Sequence, residues 1–207
     1  MPERKDPKSR REEARQRMYH DLIFEAAEQI FAEKGFEVGT MQDVAAEAGV
    51  SLKTLYATFP GKQELYDEIR AIGTAKLIEA IAAAHDTGDN ALESLEHGVH
   101  AYVEFLIEHE NFLRILLRGG LAPGTRNIEE QGAQGVSNFA DILTRGMEEG
   151  RFHRGDPQMM AHVGIAIMQV WLARIPERGD KQASDVAEEI LLQLRRILGC
   201  DAQATAG

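Results

Sequence analysis

The chain has 207 residues, 23 of them basic and 34 acidic, with a net charge of −11 and 43% hydrophobic residues. Its lone cysteine, Cys200, excludes a disulfide framework and a cysteine-rich zinc module. No apolar run approaches the ~18 residues that a membrane span requires, and no apolar segment follows residues 1–6 to indicate export. We therefore expect a soluble, cytoplasmic globular protein of one large domain or two small ones, with no membrane association.

The charge is unevenly distributed along the chain. Residues 1–17 carry seven basic and four acidic side chains, whereas residues 71–207 carry 12 basic and 20 acidic side chains. Repulsion from the acidic part limits non-specific DNA affinity, while a basic arm still reaches phosphates. Bulk charge therefore does not decide whether DNA is a partner, and residues 1–17 are predicted to be a flexible basic arm.

Helical periodicity dominates the chain, and no stretch alternates like a strand for long. The first predicted helix ends at Lys34-Gly35, where glycine supplies a helix stop. The later helices are predicted over approximately 40–47, 51–58, 62–84 and 90–108, in a shorter segment holding Phe112 to Leu117, and over about 127–149, 157–175 and 183–198. The pattern predicts an all-α fold of about nine helices with a disordered tail at 200–207.

The last two predicted helices differ in character. Asp156-Pro157 is typical of a helix N-cap followed by proline in the first turn. The helix over 157–175 has almost no polar side, which indicates burial on two sides. Either it is interior to one subunit, or it pairs with the amphipathic helix over 183–198 to form a four-helix interface in a homodimer.

Residues 40–59 have the features of a helix-turn-helix. Thr40 stands where an N-cap belongs, and Asp43 can accept a hydrogen bond from the backbone of that cap. Ala45 permits close packing of a second helix, Gly49 tolerates the positive φ of a turn, and Ser51 caps the next helix.

The side chains at the start of that second helix suit DNA. Lys53 can donate to guanine, Thr54 can contact a base edge, and the Tyr56 hydroxyl suits a phosphate oxygen. Thr40 and Lys62 stand at helix N-termini, where exposed backbone N–H groups favour binding of a phosphate. The spacing alone is also compatible with roles that do not involve DNA, with Lys53 as a solvated surface charge and Tyr56 as a half-buried packing residue. The predicted DNA-binding residues are Thr40, Ser51, Leu52, Lys53, Thr54, Tyr56 and Lys62.

A longer pattern extends over residues 17–66. It consists of Ile30-Phe31 with Gly35-Phe36, Thr40 with Val44-Ala45 and Ala48-Gly49-Val50-Ser51, and Thr54-Leu55-Tyr56 with Phe59-Pro60, Lys62 and Leu65. This pattern closely resembles the N-terminal domain of TetR-family transcriptional regulators. The resemblance implies a DNA-binding domain over 18–63, a ligand-binding and dimerisation domain over 64–199, and a dimeric repressor that a small molecule releases from a pseudopalindromic operator. Leu52 and Lys53 depart from residues common in the family, so the operator sequence stays open.

The family's C-terminal region encloses a pocket for a small, largely apolar effector, and such pockets combine apolar side chains with a few polar groups. No glycine-rich phosphate loop, nucleophile elbow or zinc-protease motif is present, so we expect neither an enzyme nor a cofactor. His97, His100 and His162 are either ordinary polar positions or part of a metal site. Two rival functions stay open, a DNA-binding protein without a ligand and a helical carrier or enzyme. The pocket candidates are Tyr102, Phe105, Phe112, Leu116, Phe139, Leu143, Met168 and Trp171.

Overall fold

The computed structural model of the chain describes residues 7–119, 126–173 and 183–200. Within these residues the chain forms nine α-helices, and the all-α prediction is confirmed. The predicted tail beyond residue 200 lies outside the described residues, and the helix predicted over 157–175 is observed over Pro157–Leu172. The helices are α1 (Pro7–Val38), α2 (Met41–Glu47), α3 (Leu52–Thr58), α4 (Lys62–His85), α5 (Ala91–Glu108), α6 (Glu110–Gly119), α7 (Arg126–Glu148), α8 (Pro157–Leu172) and α9 (Ala183–Leu198).

Helix α1 begins within the segment that was predicted to be a flexible arm. Residues 7–17 are helical, which corrects the prediction of a flexible arm over 1–17. Their charges lie one turn apart on the helix surface, and Arg15 Nη2 lies 2.8 Å from a carboxylate oxygen of Glu12. Such pairs support a helix modestly, because residues three and four apart are neighbours on its surface. Residues 1–6 of the predicted arm lie outside the described residues.

The predicted stop at Gly35 corresponds to a break within α1. Gly35 has a φ of 80° and a ψ of 164°, a left-handed backbone conformation that glycine adopts without steric cost. The Gly39 amide donates to the Gly35 carbonyl over 3.0 Å and closes the turn that leads into α2.

The chain divides into two compact units, and the first contains α1 to α3. Within the described residues it comprises 7–70 and 114–119, so it also includes the start of α4 and the end of α6. The prediction placed the domain boundary after residue 63. The first unit extends further because Leu65, Tyr66 and Ile69 of α4 are buried in its core.

The second unit comprises residues 71–113, 126–173 and 183–200. Within it α7 packs against α5 and α8, and α9 packs against the same two helices. Asn90 caps α5 by accepting from the amides of Leu92 and Glu93. Asp156 caps α8 in the same way, with Pro157 in the first turn, so the predicted start of α8 is confirmed.

Several helix contacts in the second unit place a ring directly on a glycine. A Cβ atom added to Gly73 of α4 would overlap the ring of Phe112, and one added to Gly164 of α8 would overlap the ring of Phe139. Gly98 of α5 stands against the imidazole of His85 in the same manner. These helices therefore approach closely where one side offers no side chain.

Part of the exposed surface of α8 is apolar. It carries four residues at helical spacing, Met159, Val163, Ala166 and Val170, which we call the outer stripe. Val170 exposes 67% of its surface, and on α9 Leu192 and Ile197 are also exposed. The outer stripe agrees with the apolar character expected of α8, and the described residues leave it exposed.

Candidate nucleic-acid interface

A buried core holds α3 in place against α1 and α2. Leu55 and Phe59 are buried on its inner side, and α3 contacts both preceding helices. The opposite side is thereby directed to solvent. The buried residues around it are Ile23, Ala26, Ala27, Ile30, Phe31, Ala32, Met41, Val44, Ala45, Leu65, Tyr66, Ile69 and Ile115.

The start of α2 is fixed by a reciprocal capping box. The Asp43 amide donates to Thr40 Oγ1 over 3.1 Å, and the Thr40 amide donates to Asp43 Oδ2 over 3.0 Å. Lys34 Nζ lies 2.7 Å from Asp43 Oδ1. The hydrogen bonds that the carboxylate accepts, from Lys34 first and then from the Thr40 hydroxyl and amide, lower the pKa of the Asp43 carboxyl to about 2. The predicted cap at Thr40 is confirmed.

The turn between α2 and α3 has the predicted geometry. Gly49 has a φ of 66°, and the Val50 amide donates to the Ala45 carbonyl over 3.0 Å. Ala45 is buried, as close packing of the second helix requires. Because this turn is short and hydrogen-bonded, it fixes the direction of α3 relative to α2.

The first residues of α3 divide into structural and exposed ones. Ser51 Oγ accepts from the Thr54 amide over 3.0 Å and lies 2.8 Å from Thr54 Oγ1, so both hydroxyls already take part in the cap. Leu52, Lys53 and Tyr56 are exposed, and half of the Tyr56 surface is accessible. Of the predicted base-reading residues, Leu52 and Lys53 are the ones whose side chains are directed to solvent, while Thr54 is half-buried.

The Lys62 side chain has a structural role that the sequence did not indicate. Its ammonium donates to the carbonyl of Gly39 over 3.0 Å and to that of Glu37 over 3.4 Å. The same ammonium lies 4.4 Å from the centre of the Phe36 ring. Lys62 thus ties the start of α4 to the turn before α2, and no local spacing signal links residues so far apart in the chain.

A second link between distant segments joins α1 to α4. His20 Nε2 lies 2.7 Å from Glu68 Oε1, and the His20 ring lies 5.0 Å from that of Phe59. Phe59 directly follows α3, so this contact helps to hold the C-terminal end of α3 in place. Sequence reasoning missed it, because a histidine and a glutamate 48 residues apart carry no pattern.

The predicted effector-pocket residues are mostly buried. Leu116 lies in the part of α6 that belongs to the first unit, and the other seven lie in the second. The rings of Phe105 and Phe112 meet edge to face with centres 6.4 Å apart. Trp171 is half-buried. Membership of a pocket stays a prediction for these residues. The buried ones are Tyr102, Phe105, Phe112, Phe139, Leu143 and Met168.

The three histidines singled out in the sequence have ordinary partners. His97 Nδ1 lies 2.8 Å from the Thr87 hydroxyl, and His100 Nε2 lies 3.5 Å from Glu188. His162 Nδ1 lies 2.8 Å from the backbone carbonyl one turn earlier in α8. Across 7–119, 126–173 and 183–200, no group of three or more His, Cys, Asp or Glu residues is arranged to hold a metal ion. None of the described helices combines the length and apolar character that crossing a membrane requires.

The chain matches known proteins over both units. A family model described as bacterial regulatory proteins, tetR family, matches residues 23–69, and a second, tetracyclin repressor-like C-terminal domain, matches residues 88–198. The HTH-type transcriptional repressor KstR2 of Mycobacterium tuberculosis is 30% identical over 135 residues, which cover 63% of this chain and 67% of KstR2. For another curated relative, from Bacillus subtilis, the match covers only 38% of that protein's length.

Solved structures agree in fold. The TetR-family regulator PfmR of Thermus thermophilus is 26% identical with a TM-score of 0.73, over 84% of this chain and 97% of PfmR. FadR of Bacillus subtilis, solved with stearoyl-CoA, is 18% identical with a TM-score of 0.75, over the same shares of the two chains. The second family match alone covers more than half of the chain. The chain therefore belongs to the tetR family of bacterial regulatory proteins, which are transcriptional regulators rather than enzymes.

Proposed function

We propose that the chain acts as a homodimeric repressor that binds a pseudopalindromic operator through α3 and is released by a largely apolar effector held in the second unit. The observation that carries the proposal is the division of α3. Leu55 on one side is fully buried, while Leu52, Lys53 and Tyr56 are exposed on the other. A short helix anchored in this way can enter the major groove without rearrangement of its own unit.

The exposed residues suggest how the operator is read. Lys53 donates to the O6 or N7 atom of guanine, and Leu52 offers an apolar contact to a thymine methyl group. Tyr56 donates to a phosphate oxygen, and the N-terminal amides of α2 bind another phosphate. Lys62 contributes by holding the turn before α2 in place, because its ammonium already serves two carbonyls.

Dimerisation is supported by the outer stripe of α8. Apolar residues at this spacing form a continuous surface, and a second copy of the chain would cover it. On α9, Leu192 and Ile197 are exposed apolar residues as well. In the proposed dimer the two α3 helices enter successive major grooves, which requires a separation of about 34–36 Å between them.

The second unit supports effector binding by its composition. It buries Phe105, Phe112, Phe139, Leu143 and Met168, and ligand pockets are lined mainly by such side chains. FadR of Bacillus subtilis has been solved with stearoyl-CoA, a molecule with a long apolar chain. An effector acts as an inducer only if its affinity is higher for the conformation that does not bind the operator than for the conformation that does.

The proposal is tested by selecting bound sites from random duplex DNA with the purified chain near physiological salt. We expect a two-fold symmetric site with half-sites about 10 base pairs apart. Failure to enrich any sequence with a folded dimer would contradict operator binding.

The recovered site then serves to test release by an effector. Saturating stearoyl-CoA is expected to weaken operator affinity, and a reporter downstream of the site is expected to be repressed until the effector is supplied. Unchanged affinity at saturation would leave a DNA-binding regulator that does not respond to this class of ligand.

A further inference from the structure

Tyr102 lies at the centre of the buried side of α5. Successive residues of an α-helix are 100° apart, so the nine buried residues of α5 fall within one half of its circumference, with Tyr102 near the middle. Only 8% of its surface is accessible. The nine residues are Ala91, Ser94, Leu95, Gly98, Val99, Tyr102, Val103, Phe105 and Leu106.

The Tyr102 hydroxyl makes no hydrogen bond to any residue in the described part of the chain, in contrast to the other polar side chain on this side of α5. Ser94 is fully buried, and its hydroxyl donates to the His85 carbonyl over 2.8 Å and accepts from Arg145. Tyr102 is two turns further along α5, about 12 Å away along the axis. The cluster around Ser94 therefore does not serve it.

The charge environment agrees with this isolation. Burial alone raises the pKa of the Tyr102 phenol. For Tyr66, the buried tyrosine of the first unit, burial raises the pKa as well, but the charges of Arg70 and Asp67 also act on it. Arg70 Cζ lies 5.9 Å from the centre of the Tyr66 ring, whereas for Tyr102 the cause of the raised pKa is burial.

A buried tyrosine hydroxyl without a partner is unusual, because the hydroxyl loses its hydrogen bonds to water on burial. The side chains one turn away on α5 are those of Val99, Phe105 and Leu106, which supply no polar atom. A ligand that completes this site therefore has an apolar body and one neutral acceptor, since a charged group would be strongly disfavoured in such surroundings.

We propose that the Tyr102 hydroxyl donates a hydrogen bond to a carbonyl oxygen of the effector, and that the effector is an apolar chain carrying a neutral ester or thioester carbonyl. The proposal rests on the function proposed above and assigns the polar contact of its effector site. It makes Tyr102 a specificity-determining residue, which distinguishes an acyl compound from a hydrocarbon of the same length.

The test is a binding cycle with two ligands and two proteins. The ligands are stearoyl-CoA and S-octadecyl-CoA, a thioether that keeps the chain and the coenzyme but lacks the carbonyl. The proteins are the unmodified chain and Tyr102→Phe, with Tyr66→Phe as the matched control. We expect the unmodified chain and the control to prefer the thioester by about five- to tenfold, and Tyr102→Phe to show no preference.

The outcomes separate the two proposals. A preference for the thioester that persists in Tyr102→Phe would overturn the role of Tyr102 and leave the proposed function intact. If the unmodified chain binds neither ligand, both the role of Tyr102 and the effector half of the proposed function are overturned, while operator selection still stands or fails by itself. Unfolding in urea without ligand adds a check, because Tyr102→Phe should be at least as stable as the unmodified chain. A clear loss of stability would show that the hydroxyl has a partner in the ligand-free protein and would overturn the proposal.

Discussion

Two exposed side chains of α3, those of Lys53 and Tyr56, are the residues on which operator affinity should depend most. Replacing both with alanine removes one base contact and one phosphate contact in each subunit, and a good base contact contributes about 1–3 kcal/mol. We expect operator affinity to fall at least tenfold. Fluorescence anisotropy with a labelled operator measures this loss.

The control for that variant is Lys76→Ala, which removes an exposed lysine from the second unit. It changes the net charge as Lys53→Ala does, but it should leave operator affinity within twofold. An equal loss in both variants would indicate a general charge effect and would count against reading by α3.

At this scale, local signals were predictable and distant contacts were not. Thr40, Ser51 and Asp156 were predicted as caps and are caps, because a cap depends on residues two or three positions away. The bond from Lys62 to Gly39 joins residues 23 positions apart, and no propensity encodes it. DNA contacts and pocket membership stay predictions, because both depend on partners outside the chain.

Among the helices, the junction of α4 and α5 gives the protein a defined response to acid. Burial, with a smaller contribution from Arg145, lowers the pKa of His85 from 6.5 to about 4, although Asp86 opposes the shift. His85 is therefore neutral when folded at pH 5 but protonated when unfolded. The stability that this difference provides is fully present above pH 6.5 and is lost as the pH falls toward 4.

We expect the free energy of unfolding to fall between pH 6.5 and 4, with a contribution from His85 of up to about 3 kcal/mol. His85→Gln should remove that part of the slope, because glutamine does not titrate. His153→Gln, at an exposed position between α7 and α8, is the control and should keep it. Urea midpoints at a series of pH values measure the slope, and identical slopes for all three proteins would refute the assignment.

The outer stripe of α8 gives a test of assembly. Val170→Asp places a charge in the proposed dimer interface, where burial of an unpaired carboxylate is unfavourable. We expect the dimer to dissociate at micromolar concentration, as sedimentation velocity would show.

Val38→Asp is a matched control for Val170→Asp, since both valines expose 67% of their surface. Val38 lies at the end of α1 in the first unit, so that variant should stay dimeric. A Val170→Asp protein that remains dimeric would place the interface elsewhere.

The order of the helices was predictable from the sequence, but their ends were less so. Apolar periodicity identified α4, α5, α7 and α9 within a residue or two of their observed bounds. Residues 7–17 were missed, because periodicity registers the burial of one side and residues 9–17 bury little. Their helical charge spacing was visible, but it is a weak signal beside the mixed composition.

In the whole molecule, an excess of negative charge coexists with the proposed DNA-binding role. The net charge of −11 opposes association with DNA, so the basic start of α1 should contribute to affinity in a manner that salt can screen. We expect Arg11→Gln to reduce the slope of log affinity against log salt concentration by about 0.9 for each phosphate that the Arg11 side chain neutralises. Operator titrations between about 50 and 200 mM salt measure the slope.

Arg196→Gln, at an exposed position in α9, is the charge-matched control for Arg11→Gln. Its salt slope should equal that of the unmodified chain. A slope that also stays unchanged in Arg11→Gln would show that the start of α1 does not contact phosphates.

The contacts between rings and glycines limit how this fold can be improved in the laboratory. Replacing a helix glycine with alanine is ordinarily one of the simplest ways to raise stability, because alanine loses less backbone entropy on folding. At Gly73, Gly98 and Gly164 that benefit is outweighed, since the new methyl group would displace a ring. Gly132 of α7 has nothing within 4 Å of an added Cβ atom and keeps the benefit. A library that replaces each glycine with alanine and is selected for stability would therefore retain alanine at Gly132 and lose it at the other three positions. The pattern of retained and lost alanines would identify the close helix contacts of the second unit without any structure being solved.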